Sequence, residues 1–293
     1  MTNTQLKYPH NTDPDIFREA IAYSEADRGF TSTLIEKDYY CSLVLQYFFS
    51  NKTSLVFKGG TCLSKVHVDF YRLSEDLDLI LPVTADITRT QRSAHMEPVK
   101  NMFKKLPFAV PGVTISEEFK GHNASRQYIS SLEYHSVIVE KKEKIKIEVG
   151  IREPLLRPSE SRLASTIVMN PFNGQPLLPP FKVGAMTLQE AYAEKIRAAI
   201  TRKEPAIRDF FDVFHVIRKR GLNTQDPDFL SMVKAKIDVP GNESIDLSEE
   251  RKQELNRQLE GQLKPVLRPS DFDSFNLNEA FKLVRNITKA LAL

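Results

Sequence analysis

Asp76 and Asp78 stand two residues apart inside the apolar run Leu77, Leu79, Ile80 and Leu81. A strand alternates faces, so both carboxylates project to one side while Leu77, Leu79 and Leu81 project to the other. Like charges held that close are costly unless a cation neutralises them. Hard oxygen donors of this kind suit Mg2+, which completes its shell with water and substrate phosphates. Alone, Asp-x-Asp is common and reads first as a solvated strand edge. Upstream, Leu55-Val56-Phe57 runs into Gly59-Gly60-Thr61 and then a helical pattern. That order sets bare backbone amides and a hydroxyl at a helix start, an arrangement able to cradle phosphate. Taken singly, it too reads as a tight turn with Thr61 as N-cap. The conjunction of cradle and paired acids in one short span is more specific: the acids would hold metal beside a bound triphosphate. No Gly-Lys-Ser/Thr follows the glycines, which argues against a P-loop ATPase.

Two-metal phosphoryl transfer calls for a further carboxylate. Glu148 is the candidate. Ile145, Ile147 and Val149 alternate with Lys144, Lys146 and Glu148, so the acid lies on the polar face of an apolar-backed strand. An ion pair with Lys144 or Lys146 accounts for it equally well.

The elements that must position these groups follow from periodicity and breakers. Helices are expected over 12–50, with Asp13 as a cap, Pro14 at the first position and a second helix from Ser32. A strand over 55–57, a helix over 61–70 and a strand over 77–81 stopped by Pro82 come next. A polar helix over 86–105 precedes strands near 113–119, 127–132, 136–139 and 145–149. Pro154, Pro158, Pro171, Pro176, Pro179 and Pro180 mark a linker-like passage. Helical patterns then cover 187–203, 205–220, 247–264 and 276–293. The expected fold class is α+β: a domain over 1–185 with a mixed sheet, then a helical domain over 186–293.

Composition sets the outer bounds. The chain has 293 residues, 41% hydrophobic and 27% charged, and a net charge of +3, which suits a globular protein with a sizeable core. Cys41 and Cys62 offer no disulfide framework and fit a reducing cytoplasm. No apolar run is long enough for a membrane span, and the six histidines show no metal-ligand spacing.

Three segments carry a resemblance: Glu36-Lys37-Asp38-Tyr39, then Phe57-Lys58-Gly59-Gly60-Thr61-x-Leu63-Ser64-Lys65, then Arg72-x-Ser74-Glu75-Asp76-x-Asp78-Leu79. Together they resemble the AbiEii/AbiGii toxin family of nucleotidyltransferases, within the DNA polymerase β-type superfamily that includes the MenT toxins. A weaker match recurs at Glu148, at Glu194-Lys195-x-Arg197-Ala198 and at Arg208-Asp209-x-x-Asp212. The resemblance implies Mg2+-dependent transfer of a nucleotide from an NTP. It implies Lys58, Gly59, Gly60, Thr61, Ser74 and Lys195 at the NTP, and Asp76, Asp78, Lys195 and Asp209 as catalytic residues. Asp76, Asp78 and Glu148 would hold metal. It also implies a separately encoded antitoxin of a type IV, abortive-infection-like pair, and a tRNA 3′ end as acceptor. Nucleotidylation of a protein or small molecule is the alternative acceptor chemistry. A non-catalytic NTP-binding regulator would keep the cradle but lose carboxylates that are present here.

In the helical half, Leu188, Tyr192, Ile196, Ala199 and Ile200 form an apolar stripe, with Lys195 and Arg202 on one side of it. Ile207, Phe210, Phe211, Phe214 and Ile217 form another, which leaves Asp209 and Asp212 on what reads as a solvated face. The resemblance raises Asp209 alone above that reading. Basic runs at Lys141–Lys146, Arg202-Lys203 and Arg218–Arg220 are the candidate guides for a polyanionic acceptor.

Overall fold

The computed structural model describes residues 9–84, 86–152 and 154–291. They fall into two compact units, one of Met1–Pro154 with Ser159–Ala185 and one of Leu155–Pro158 with Met186–Leu293.

The first unit opens with helices α1 (Pro9–Thr12), α2 (Pro14–Arg28) and α3 (Ser32–Ser50). Asp13 caps α2 by accepting from the Ile16 amide at 3.1 Å, and Gly29 ends it in the left-handed region. Strand β1 (Val56–Lys58) leads into the short helix α4 (Gly59–Cys62), continued by a π-helical turn over Leu63–His67. After β2 (Leu77–Ile80) and α5 (Arg89–Ala109) come β3 (Val113–His122), β4 (Gln127–His135), β5 (Lys142–Gly150), β6 (Glu160–Ala164) and β7 (Phe181–Ala185).

The strands form one mixed sheet in the order β3-β4-β5-β2-β1-β7-β6. β2 is antiparallel to β1 and parallel to β5, while β1 is parallel to β7. Leu77, Leu79, Ile145, Ile147 and Val149 are completely buried and join residues of α2, α3 and α5 in the core. The opposite face of β5 carries polar residues at every second position, as the alternation required.

Two stretches differ from expectation. The proline-marked passage contains β6 and β7, which extend one side of the sheet. Both are five residues long and stand beside prolines, so period-2 alternation had little length in which to show. Residues 136–139, expected as a strand, form the β4–β5 connection. There the buried Glu36 accepts from the Ser136 hydroxyl and, at 2.7 Å, from the Val137 amide.

A buried ion pair locks α3 to the π-helical turn. Lys65 (0% exposed side chain) meets Asp38 (4%), and its ammonium also donates to the Ser42 hydroxyl at 2.7 Å. The other Asp38 oxygen accepts from the Thr166 hydroxyl at 3.1 Å and the Ile167 amide at 2.9 Å. One carboxylate thus joins α3, the turn after the glycines and the segment behind β6.

The second unit is helical: α6 (Leu188–Thr201), α7 (Ile207–Arg220), α8 (Pro227–Ile237), α9 (Glu249–Arg257), α10 (Pro269–Ser274) and α11 (Leu277–Ala290). α8, between the expected helices, begins in the standard way, with Asp226 as N-cap and Pro227 in the first turn. Phe210 of α7 stacks on Phe281 of α11 with ring centroids 5.6 Å apart. Residues 155–158 belong to this unit because Glu190 of α6 accepts from the Leu156 and Arg157 amides, each at 3.0 Å. Glu190 is fully buried and neutralised by the equally buried Lys236 of α8 at 2.8 Å.

Removing one partner of a buried ion pair strands the other, at a cost of about 3–5 kcal/mol, whereas an apolar replacement of the charge removes that penalty. Asp38→Ala should therefore lower the free energy of unfolding by about that amount in urea titrations, and Asp38→Ala with Lys65→Met should recover much of the loss. A single variant as stable as the parent protein would show that Asp38 and Lys65 do not depend on each other.

Candidate active site

The acids stand where β1, β2 and β5 lie side by side. Lys58 pairs in register with Asp78, and Asp78 pairs with Glu148. Directly opposed residues share a face, so Lys58, Asp78 and Glu148 form one row across three strands. The neighbouring row is Phe57, Leu79 and Val149, each fully buried. Asp76 sits just before β2 rather than within it; it and Asp78 are half-buried on either side of the buried Leu77. This is the alternation the sequence implied, with the strand beginning one residue later than its first acid.

The glycines act mainly through what they leave out. Gly59 lies at φ +76°, and a Cβ there would collide with the Asp78 carboxylate. A Cβ on Gly60 would strike the guanidinium of Arg72, a buried side chain that donates to the Leu73 carbonyl at 3.1 Å. The Thr61 hydroxyl is buried and donates to the backbone carbonyl of Asp76. Thr61 therefore fixes the acid-bearing loop with its side chain. Gly59, Gly60 and Thr61 all lie in the first turn of a helix, where backbone amides have no intrahelical acceptor. Ser74 is half-buried on the loop that leads to Glu75.

That loop is tied down along its length. Asp69 and Phe70 take positive φ angles of 43° and 51°, a backbone reversal that few non-glycine residues adopt. The Phe70 amide donates to the Ser64 carbonyl at 2.9 Å, and the Ser64 hydroxyl to the Arg72 carbonyl at 2.6 Å. Lys37 of α3 reaches Glu75, next to Asp76, at 3.3 Å. Lys37, Ser64, Lys65 and Arg72 thus position the acids, roles that sequence reasoning left unassigned. The usable signal was a set of charged and polar residues inside otherwise apolar helix and loop segments.

Glu148 lies in the right row but is otherwise engaged. Lys146 donates to it at 3.2 Å. Burial pushes its carboxyl up, yet Lys146, a hydrogen bond from Gln127 and the charge of Lys58 outweigh that and hold it below the usual range. For Lys146, burial lowers the ammonium's proton affinity, but Glu148 first, then Asp76 and Asp78, raise it above normal. Among the described residues, no three His, Cys, Asp or Glu side chains gather as a metal-holding group. Glu148 is the direct register partner of Asp78 and is at the same time held by Lys146. The two aspartates, half-exposed and all-oxygen, fit a hard divalent ion that draws its other ligands from water and phosphate.

In the second unit the solvated-face reading of α7 is overturned. Asp209 and Asp212 are buried, with side chains 3% and 0% exposed. Both face Lys195 of α6, at 2.7 and 2.9 Å, and Arg202 adds a contact to Asp209 at 3.2 Å. Residues three apart share a helix face, so the pair clamps one ammonium. Burial lowers the pKa of nearby His215 to about 4, against the opposing pull of Asp212.

The Lys141–Lys146 run is compensated, and the other two runs are so at Arg202 and Arg218. Lys142 and Lys144 meet Glu133 at 3.3 and 3.6 Å, Lys141 meets Glu143 at 3.3 Å, and Arg218 meets Glu279.

Residues 45–282 match the family described as Nucleotidyl transferase AbiEii toxin, Type IV TA system. The chain belongs to the AbiEii nucleotidyltransferase family. Crystal structures share its fold. One, described as a candidate nucleotidyltransferase from H. pylori, has 16% identity and a TM-score of 0.53, covering 90% of this chain and 98% of that one. JHP933 from Helicobacter pylori has 16% identity and a TM-score of 0.51, covering 90% and 95%. No curated protein matches. As an AbiEii family member the protein is a nucleotidyltransferase of toxin type, with a mixed sheet in its first unit. Among the described residues no helix is long and apolar enough to cross a membrane.

Asp212→Ala leaves Lys195 with a buried partner removed, and should lower unfolding free energy by about 1–3 kcal/mol. An unchanged urea midpoint would return Asp212 to the solvated face. Gly59→Ala adds strain at a positive φ and displaces Asp78, so transfer should fall at least tenfold while the far-ultraviolet circular dichroism stays that of the parent.

Proposed function

We propose that this AbiEii member moves a nucleoside monophosphate from an NTP to the terminal hydroxyl of a tRNA 3′ end, with Mg2+, as the toxin partner of a separately encoded antitoxin. The observation that carries the chemistry is the row Lys58, Asp78 and Glu148 beside the Gly59 turn. Asp76 and Asp78 would hold the metal, which lowers the pKa of the attacking hydroxyl and offsets charge on the phosphates when bound. First-turn amides of Gly59 and Gly60, with Lys58 and Ser74, are assigned to the triphosphate. Lys195 is assigned as a further cation for phosphate charge and Asp209 as the carboxylate that orients it. Glu148 is assigned as a ligand that becomes available when Lys146 is drawn to another anion.

The acceptor oxygen bonds to the α-phosphorus as the bond to the β-phosphate oxygen breaks. Pyrophosphate leaves, and the hydroxyl proton passes to a carboxylate or to water. A positioned, desolvated set of charges is what phosphoryl transfer asks of a protein.

The test incubates the protein with each labelled NTP and total RNA, with and without chelator. Label at tRNA 3′ ends, lost on chelation and reduced on the order of a thousandfold by Asp76→Ala or Asp78→Ala in a folded protein, is the expected result. Label on protein or on a small hydroxyl compound would replace tRNA as the acceptor. Full activity in both aspartate variants would move the active site elsewhere. Lys195→Ala, paired with a melting curve, should cost far more turnover than stability; loss of stability alone would make Lys195 a structural cation.

A further inference from the structure

The strand pair that bears Lys58 and Asp78 has a cavity at its other end. A cavity of about 750 Å³ lies between the end of α3, the 51–54 loop and one side of α5, bounded by Ser54 before β1 and Leu81-Pro82 after β2. This volume lies within the range of pockets that enclose a small organic ligand. Its position is set by sheet geometry. Val56 pairs with Ile80 at this end and Lys58 with Asp78 at the other, so the cavity and the acids lie at opposite ends of the same two strands.

The lining divides into an apolar part and a cationic part. Leu81, Pro82, Val99 and Met102 give an apolar wall. Tyr47 joins them with its hydroxyl already committed to the Met102 carbonyl at 2.8 Å, which holds its ring in place and ties α3 to α5. Lys52, His95 and Lys105 line the cavity too, all exposed, and no acidic residue does among the described residues. Among those residues Lys52 and Lys105 make no ion pair either. In this they differ from the lysines of β5, which are matched by Glu133 and Glu148. Uncompensated ammonium groups around a concave apolar wall suit a ligand with a dianionic end and a flat, weakly polar body.

We infer that this cavity binds a nucleoside bearing a terminal phosphate, at a site separate from the one that holds the NTP. The phosphate meets Lys52 and Lys105, and the base lies against Tyr47, Val99 and Met102. The ligand is either a free nucleotide or the 5′-phosphorylated end of a nucleic acid, and both present the same phosphomonoester. Asn101 and Ser54 lie in the same lining and supply polar groups for the sugar.

Equilibrium binding with labelled adenosine 5′-monophosphate tests the site. Three proteins are compared: the parent, Lys52→Glu/Lys105→Glu, and Asp76→Asn/Asp78→Asn. Both lysines are exposed and make no ion pair, so their variant should melt with the parent protein. Removing charge-assisted hydrogen bonds at two positions should weaken binding at least tenfold in that variant, while the aspartate variant binds as the parent does. Competition with a short RNA carrying a 5′-phosphate, against the same RNA with a 5′-hydroxyl, identifies the source. Displacement by the phosphorylated RNA alone points to a nucleic-acid end, and displacement by neither to a free nucleotide. No measurable binding by the parent overturns the proposal. So does unchanged binding in the lysine variant, or a loss confined to the aspartate variant, which would place the nucleotide in the NTP site.

Discussion

The contact between Asp38 and Lys65 is the constraint on which the first unit's geometry rests. A charge pair taken out of water does not stabilise a fold by itself, because the desolvation of both ions offsets most of their attraction. What it supplies is uniqueness. Asp38 finds Lys65, Thr166 and Ile167 together in only one arrangement of α3, the π-helical turn and the segment behind β6. Any other packing leaves a buried charge unmatched. The neighbouring residues extend the same logic: Glu36 closes the β4–β5 connection and Lys37 holds Glu75 beside the acids. Three successive side chains of one helix therefore fix four separate segments.

From that frame the site follows by sheet register. Once β2 is placed between β1 and β5, Asp78 must have Lys58 on one flank and Glu148 on the other. The apolar row beneath them leaves no freedom to slip, since a shift of β2 by one residue would turn Asp78 into the core and Leu77 and Leu79 out of it. The same register explains why an ion pair and a metal-ligand role are not opposed readings of Glu148. Held beside two aspartates, Glu148 needs a cation, and Lys146 supplies one from two residues along its own strand. Lys146 in turn owes its raised proton affinity to all three acids.

How much of this was legible depended on the length over which a pattern could repeat. β5 alternates over nine residues and was plain; β6 and β7, with five each beside prolines, were not. The acids at 76 and 78 stood out because charge inside an apolar run needs a reason. Asp209 and Asp212 were misplaced for a related cause. Helical periodicity separates apolar from polar faces, but it cannot say whether a polar face meets water or another helix that brings Lys195. The functions of Gly60 and Thr61 were hidden because each depends on a residue far along the chain, Arg72 and Asp76, that only the folded loop brings near.

The Lys195 cluster shows how a buried polar face can be tolerated. Two carboxylates on one side of α7 are matched by two cations, Lys195 and Arg202, so the group carries no excess charge into the helical unit. Within it Lys195 is not a mobile surface amine. Its ammonium is held by Asp209 and Asp212 together, with the side chain 13% exposed. Holding a cation in place costs conformational entropy during folding, and the two carboxylates offset that cost. A lysine on a solvated helix face would keep that rotamer freedom. The two aspartates thus fix where the ammonium stands.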